Sequence, residues 1–218
     1  MSGEHLFIRA ICEDSERAMT YLVGSDLSEA VLVVDPGQPF EAIRATLDRF
    51  HKLCGGILLT HGHFDHIESL DKLNAYCGTL PVFLHTDDSD KLTDVKGNVS
   101  YLFGCSFVSK TKTTPIADGD VLSLCGLHIE VLHTPGHTRG SVCFLCSVGD
   151  EKLLLSGDTL FYGNVGRWDF PGGDEEMLRR SLHRLTDTLP EELRVYPGHG
   201  GPTTVGREKR TNYFILMG

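Results

Sequence analysis

Four side chains able to bind a metal fall within six residues: His61, His63, Asp65 and His66, spaced H-x-H-x-D-H. A solvated loop is rarely this rich in imidazole. A core would not hold three histidines and a carboxylate without partners, because burying unpaired polar groups is costly. Imidazole nitrogen and carboxylate oxygen together suit zinc, iron or manganese. Gly62 lets the backbone turn sharply, so neighbouring ligands can aim at different points. The run Ile57-Leu58-Leu59 just before reads as a buried strand that delivers this cluster.

A metal that does chemistry needs ligands from elsewhere in the chain. Three later segments share one grammar of short apolar strand, glycine, then a single His or Asp. Leu127 to His133 leads into Thr134-Pro135-Gly136-His137, Lys152 to Leu155 into Ser156-Gly157-Asp158, and Leu193 to Tyr196 into Pro197-Gly198-His199. Ligands of α/β sheets gather beyond the carboxyl ends of strands, so these loops can meet on one rim.

This ordered set resembles the metallo-β-lactamase superfamily, over nearly the whole chain. The resemblance implies an α/β fold, a four-layer αββα sandwich. It also implies two divalent ions: zinc is expected, with iron or manganese as alternatives. By that resemblance His61, His63 and His137 would hold the first metal. Asp65, His66 and His199 would hold the second, and Asp158 would bridge the two. Asp35, in the turn Asp35-Pro36-Gly37, resembles a family position that orients the site from behind; a plain turn-forming Asp is the alternative.

The chain has 218 residues, 40% hydrophobic and 23% charged, enough for a sizeable core. Ligand loops running from residue 61 to 199, with no linker between them, predict one domain over 1–218. A net charge of −10 argues against a broad nucleic-acid surface. The start, Met1-Ser2-Gly3-Glu4-His5, lacks the basic and apolar regions of a signal peptide, and no apolar run is long enough to span a bilayer. The expectation is a cytoplasmic protein without nucleic-acid or membrane partners. Seven scattered cysteines without a secretory signal predict reduced thiols. Cys143 and Cys146 form a C-x-x-C inside the apolar run Val142 to Cys146 and read as small hydrophobes.

Elsewhere, Leu6 to Ala10, Thr20 to Val23, Ala30 to Val34, Pro81 to Leu84 and Val121 to Leu124 read as strands. Phe40, Ile43, Leu47 and Phe50 at helical spacing predict a surface helix over 39–52, and Ile67, Leu70 and Leu73 start another directly after His66. Asp174, followed by Glu175 and Glu176, looks like the cap of a helix whose apolar face is Leu178, Leu182, Leu185 and Leu189. Residues 86–110 read as a segment that packs, with a cover over the site as the alternative. His85 and His133 sit near strand ends; like His5, His51, His128 and His183 they are expected on the surface or in packing.

Two divalent ions sharing a water lower its pKa toward neutrality, which supplies a nucleophile without a conventional base. Asp65 and Asp158 are the carboxylates expected to act with it. The wording around Asp158, Gly157-Asp158-Thr159-Leu160-Phe161 and then Gly166-Arg167-Trp168-Asp169-Phe170-Pro171-Gly172-Gly173-Asp174, is similar to the glyoxalase II branch. That branch hydrolyses S-2-hydroxyacylglutathione. The lactam-cleaving branch generally lacks this aspartate and is exported.

The resemblance therefore implies a metal-dependent thioesterase acting on a small anionic thioester. The alternative is a mono-iron persulfide dioxygenase using His61, His137 and Asp158, and a lactonase is third. Arg167 and Trp168 are the substrate candidates, although Arg167 could instead pair with Asp169 or Asp174. Longer members carry a helical carboxy-terminal domain that helps bind glutathione, whereas 19 residues follow His199 here. In that tail Arg207, Lys209 and Arg210 could grip a carboxylate or form a solvated end.

Overall fold

The computed structural model describes residues 3–217; Met1, Ser2 and Gly218, which complete the expected 1–218 domain and open the amino-terminal reading, lie outside them. Two six-stranded sheets face each other. The first contains β1 (Leu6–Ile11), β2 (Thr20–Ser25), β3 (Ala30–Val34), β4 (Leu53–Leu58), β5 (Val82–His85) and β6 (Thr114–Ile116), in that spatial order. The second contains β7 (Val121–Leu124), β8 (Leu127–His133), β9 (Val142–Val148), β10 (Glu151–Gly157), β11 (Arg194–Pro197) and β12 (Thr203–Thr204), again in order. In the first sheet β3, β4, β5 and β6 run parallel; in the second, β10 and β11 do.

The strands are apolar on both faces because each sheet is covered on both sides. With side chains alternating along a strand, Leu32 and Val34 enter the core between the sheets, while Val31 and Val33 face outward. The inner core joins these to Tyr21, Leu58, Ile129, Phe144 and Leu155. Outside the first sheet lie α1 (Phe40–Arg49) and α3 (Leu70–Cys77), which bury Ile43, Leu47, Leu70 and Leu73. Outside the second lie α4 (Glu175–Thr188), α5 (Val205–Thr211) and α6 (Tyr213–Leu216), with Leu178, Leu182, Leu185, Val205 and Ile215 buried. The result is the αββα sandwich. Each buried leucine of α4 contributes about 1.5–3 kcal/mol.

Asp174 caps α4 by accepting from Met177 N at 2.9 Å. The helix expected over 39–52 stops at Arg49, because His51 takes a left-handed φ of 51°. The short strands β6 and β12 and the helices α5 and α6 had no counterpart in the sequence reading. Cys143 and Cys146 lie three apart on β9, so they point to opposite faces. Cys146 joins the inner core and Cys143 the outer one under α4. Among the described residues no helix is long and apolar enough to cross a membrane.

Candidate metal centre

Every expected ligand emerges at the same rim. His61 and His63 follow β4, Asp65 and His66 sit on the helical turn α2 (Phe64–Ile67), and His137 follows β8. Asp158 and His199 follow β10 and β11, the parallel pair. The helix expected directly after His66 is split: the turn α2 ends at Ile67, and α3 begins at Leu70. Gly198 makes the approach possible: a Cβ there would lie 2.2 Å from Asp158 Oδ1. At Gly62 the constraint is space rather than turning freedom, since a Cβ would lie 2.7 Å from Lys91 Cβ.

The atoms converge in two groups. His137 Nε2 lies 3.2 Å from His61 Nε2 and 2.9 Å from His63 Nδ1. Asp65 Oδ2 lies 3.2 Å from His199 Nε2 and 3.8 Å from His66 Nε2. Asp158 stands between them: Oδ1 is 3.2 Å from His66 Nε2, and Oδ2 is 3.5 Å from His137 Nε2 and 3.6 Å from His199 Nε2. His66 Nε2 and Asp158 Oδ1 are buried without a hydrogen-bond partner. Orphaned polar atoms of this kind are costly; five imidazole nitrogens and two carboxylates facing one another are what cations would reconcile. The donor set fits divalent metal.

The far sides of the rings are held. His66 Nδ1 donates to Asp35 Oδ2 at 2.9 Å, and His137 Nδ1 donates to the Arg167 carbonyl at 2.6 Å. Asp35 also accepts from Thr60 N at 2.8 Å and Thr60 Oγ1 at 2.6 Å, and Thr60 Oγ1 in turn lies 3.1 Å from His61 Nδ1. Such partners fix the tautomer and aim each ring. Asp35 is 2% exposed, so it orients the site as well as forming the turn.

The sequence reading missed Asp88. It is fully buried and accepts from Gly62 N at 2.9 Å, Thr138 Oγ1 at 2.8 Å and Gly140 N at 2.9 Å. It therefore ties the His61–His63 loop to the His137 loop. Nothing in the local pattern marks it, because its three partners are remote in sequence.

Burial, then the neighbouring imidazoles, pushes His61 and His63 well below the ordinary histidine value, which leaves neutral ligands. Burial also lowers His137, against the pull of Asp158. Burial would lower His66 too, yet Asp158, Asp35 and Asp65 hold it well above that value. For Asp158, burial is outweighed by His66, His199 and His137, and its carboxyl is held low.

A cavity of about 360 Å³ opens over His63, Asp65, His137, Asp158 and His199. Arg167 lines it, 62% exposed, paired with Asp169 at 2.7 Å and stacked on Phe170. The other substrate candidates are placed elsewhere. Trp168 packs on Phe214 at the outer core, 5.3 Å between ring centroids, because the chain alternates direction after Arg167. Arg207 pairs with Glu208 and lies over Tyr162 beside the cavity. Lys209 donates to Thr186 O at 3.0 Å at the end of α4, and Arg210 pairs with Glu191, since their face of α5 docks away from the rim. His85 and His133 do not line the cavity; they stack on each other at 4.1 Å. Residues 86–110 pack as expected: Asp88, Lys91 and Asn98 are buried, and Val99, Leu102 and Phe103 also line the cavity.

The sequence signature of the metallo-beta-lactamase superfamily matches residues 16–199. The chain is 32% identical over 186 residues to hydroxyacylglutathione hydrolase GloC of Haemophilus influenzae, covering 84% of this chain and 86% of GloC. It resembles the crystal structure of BLEG-1 B3 metallo-beta-lactamase at a TM-score of 0.87 and 33% identity, covering 96% of this chain and 99% of that one. It resembles TTHA1623, solved in a di-iron-bound form, at a TM-score of 0.73 and 34% identity, covering 97% and 94%.

Proposed function

This chain belongs to the metallo-β-lactamase superfamily, and on that premise we propose that it is a dinuclear metal-dependent hydrolase of small thioesters. The observation that carries this reading is Asp158. One of its oxygens lies 3.2 Å from His66 and the other 3.5 Å from His137, so a single carboxylate spans both ligand groups. His61, His63 and His137 would hold one ion, Asp65, His66 and His199 the other. A mono-iron dioxygenase would leave that second group without a task.

Bound there, the ions would supply an acidified water and a Lewis acid for the substrate carbonyl. The chain's own residues do the rest. Asp65 faces the cavity and can accept a hydrogen bond from the attacking water, which aims it. Asp35 and the Arg167 carbonyl keep His66 and His137 from rotating away. A thiol leaves as a thiolate, having a pKa of about 8.5 in water, so no strong general acid is needed. The similarity to GloC supports a thioester, with S-2-hydroxyacylglutathione the first substrate to try. Zinc is the proposed ion; the di-iron form of TTHA1623 makes iron the alternative, with manganese behind it.

The deciding experiment is paired. Zinc-loaded and iron-loaded protein receive S-D-lactoylglutathione with absorbance detection, and glutathione persulfide in an oxygen electrode. Thioester loss without oxygen uptake is expected, and its rate also tests glutathione as the carrier. Oxygen uptake with no thioester loss would replace the hydrolase with the dioxygenase. A lactone and a β-lactam complete the panel, the second because of the likeness to BLEG-1; cleavage of either one alone would move the substrate and keep the hydrolytic centre.

A further inference from the structure

From the walls of the cavity we infer that the substrate flanking the scissile bond is neutral and apolar, not the doubly carboxylated carrier glutathione. The inference rests on the hydrolase reading above and narrows its substrate class. Above the metal-facing floor the lining is mostly apolar, Val99, Leu102, Phe103, Phe161, Val165 and Phe170, with Asn164 and Arg167 its polar side chains. A glutathione carrier would bring two carboxylates and an ammonium, which need paired partners on the rim. Arg167, the arginine that lines the cavity, pairs with Asp169; nearby, Arg207 pairs with Glu208 and Arg17, which lies over Phe103, with Glu68. Arg139 has no such pair among the described residues but faces a separate hollow with Asp87, Asp90 and Asp94. Lys209 and Arg210 reach other parts of the surface.

The stretch carrying Val99, Leu102 and Phe103 is deliberately held. Val99 has φ 58°, a left-handed conformation in which a β-branched residue is an outlier. It is 2% exposed and still lines the cavity. Its neighbour Asn98 is locked on every side. Asn98 Nδ2 donates to Lys91 O and Phe107 O at 3.0 Å, its Oδ1 accepts from Ser100 N at 3.0 Å, and its carbonyl accepts from Phe64 N at 2.8 Å. Strained backbone persists where surroundings over-determine it, and such sites cluster at ligand clamps. Here the result is a 3-10 turn, Ser100–Phe103, that stands beside Asp65 and leaves Leu102 52% and Phe103 38% exposed. Large apolar side chains left open at the mouth of a site are a recognition surface.

The test uses zinc-loaded full-length protein and two non-hydrolysable thioethers, S-hexyl-N-acetylcysteamine and S-hexylglutathione, in calorimetry. It is paired with turnover of acetyl- and hexanoyl-N-acetylcysteamine and S-D-lactoylglutathione. The neutral thioether is expected to bind at least as tightly as the glutathione one. Hexanoyl is expected to exceed acetyl in kcat/KM by at least about tenfold, since each buried methylene is worth about 10–200-fold. Phe103→Ala should shrink that ratio severalfold. Val99→Gly, which removes the strain and the wall together, should shrink it without lowering Tm by more than a few degrees. Tighter binding of S-hexylglutathione, no binding of either thioether, or a tenfold preference for lactoylglutathione would overturn the inference. Binding of the neutral thioether with no thioester cleaved would uphold it and reject the thioesterase reading instead.

Discussion

Asp35 Oδ2 lies 2.9 Å from His66 Nδ1, and Asp35 holds this position with a left-handed φ of 50°. A buried carboxylate in a sparsely populated backbone region orients a histidine whose other nitrogen faces the ligand cluster. The same carboxylate accepts the Thr60 hydroxyl that lies against His61, so one residue steadies a ligand from each group.

Asp35→Asn should therefore weaken metal retention by about 10–100-fold, the range for lost outer partners of ligating histidines. Competition against a chromophoric chelator reads this directly. Retention unchanged within twofold would mean that Asp35 is only a turn former.

The two ligand groups predict two metal ions per chain under metal-replete conditions, by elemental analysis. Asp158→Ala removes the carboxylate shared by both groups, so both activity and metal content should fall. Gly198→Ala should do the same without replacing a ligand, because its Cβ would meet Asp158 Oδ1 at 2.2 Å and displace it. A plateau at one ion in the wild-type protein would contradict the dinuclear reading.

Cys143 and Cys146 should be chemically silent. Burial pushes their thiols up, to about 11 and about 12 respectively, and they face different cores. In the native protein at pH 8 a thiol reagent should label exposed Cys12 and Cys105 first and spare this pair. Cys143→Ala should lose about 1 kcal/mol of stability through packing and leave activity and metal content near wild type. Loss of activity in folded protein would give the pair a role that the geometry denies it.

Asp71 anchors the far end of the segment that builds the apolar wall. It accepts Ser109 Oγ at 2.5 Å and Thr111 Oγ1 at 2.7 Å. Burial would raise its carboxyl, but these hydroxyls and two backbone N–H groups hold it below the ordinary value of 3.8. A depressed folded-state pKa stabilises the protein above the unfolded value, and the gain is lost as pH falls through the folded one. Asp71→Asn should therefore cost about 1 kcal/mol near pH 7, a modest figure because the group is only partly buried. The difference from wild type should narrow as pH falls below 3.8 toward the depressed folded value. Denaturant melts at pH 7 and pH 3 check this; an equal gap at both would assign the loss to packing.

The clustering of the candidate metal centre was legible because its information is local. His61, His63, Asp65 and His66 lie within one turn of chain, and His137, Asp158 and His199 each follow a short apolar strand with a glycine. Strand ends of parallel-containing sheets bring such loops to one rim whatever the details of packing. The layers were legible for the same reason, since apolar periodicity reports which faces are covered. What lies around the metal-facing floor was decided only by tertiary structure. Asp88 reads as one acid in a polar stretch until the fold brings Gly62, Thr138 and Gly140 against it. Val99, Leu102 and Phe103 follow no helical or strand period, so no pattern could show that they face the site. Trp168, Lys209 and Arg210 had suitable chemistry but point elsewhere, because a side chain's direction depends on how its element docks. Ligand identity is a property of residue type and short spacing; the shape and charge of a pocket are properties of contacts between distant segments, which spacing does not encode.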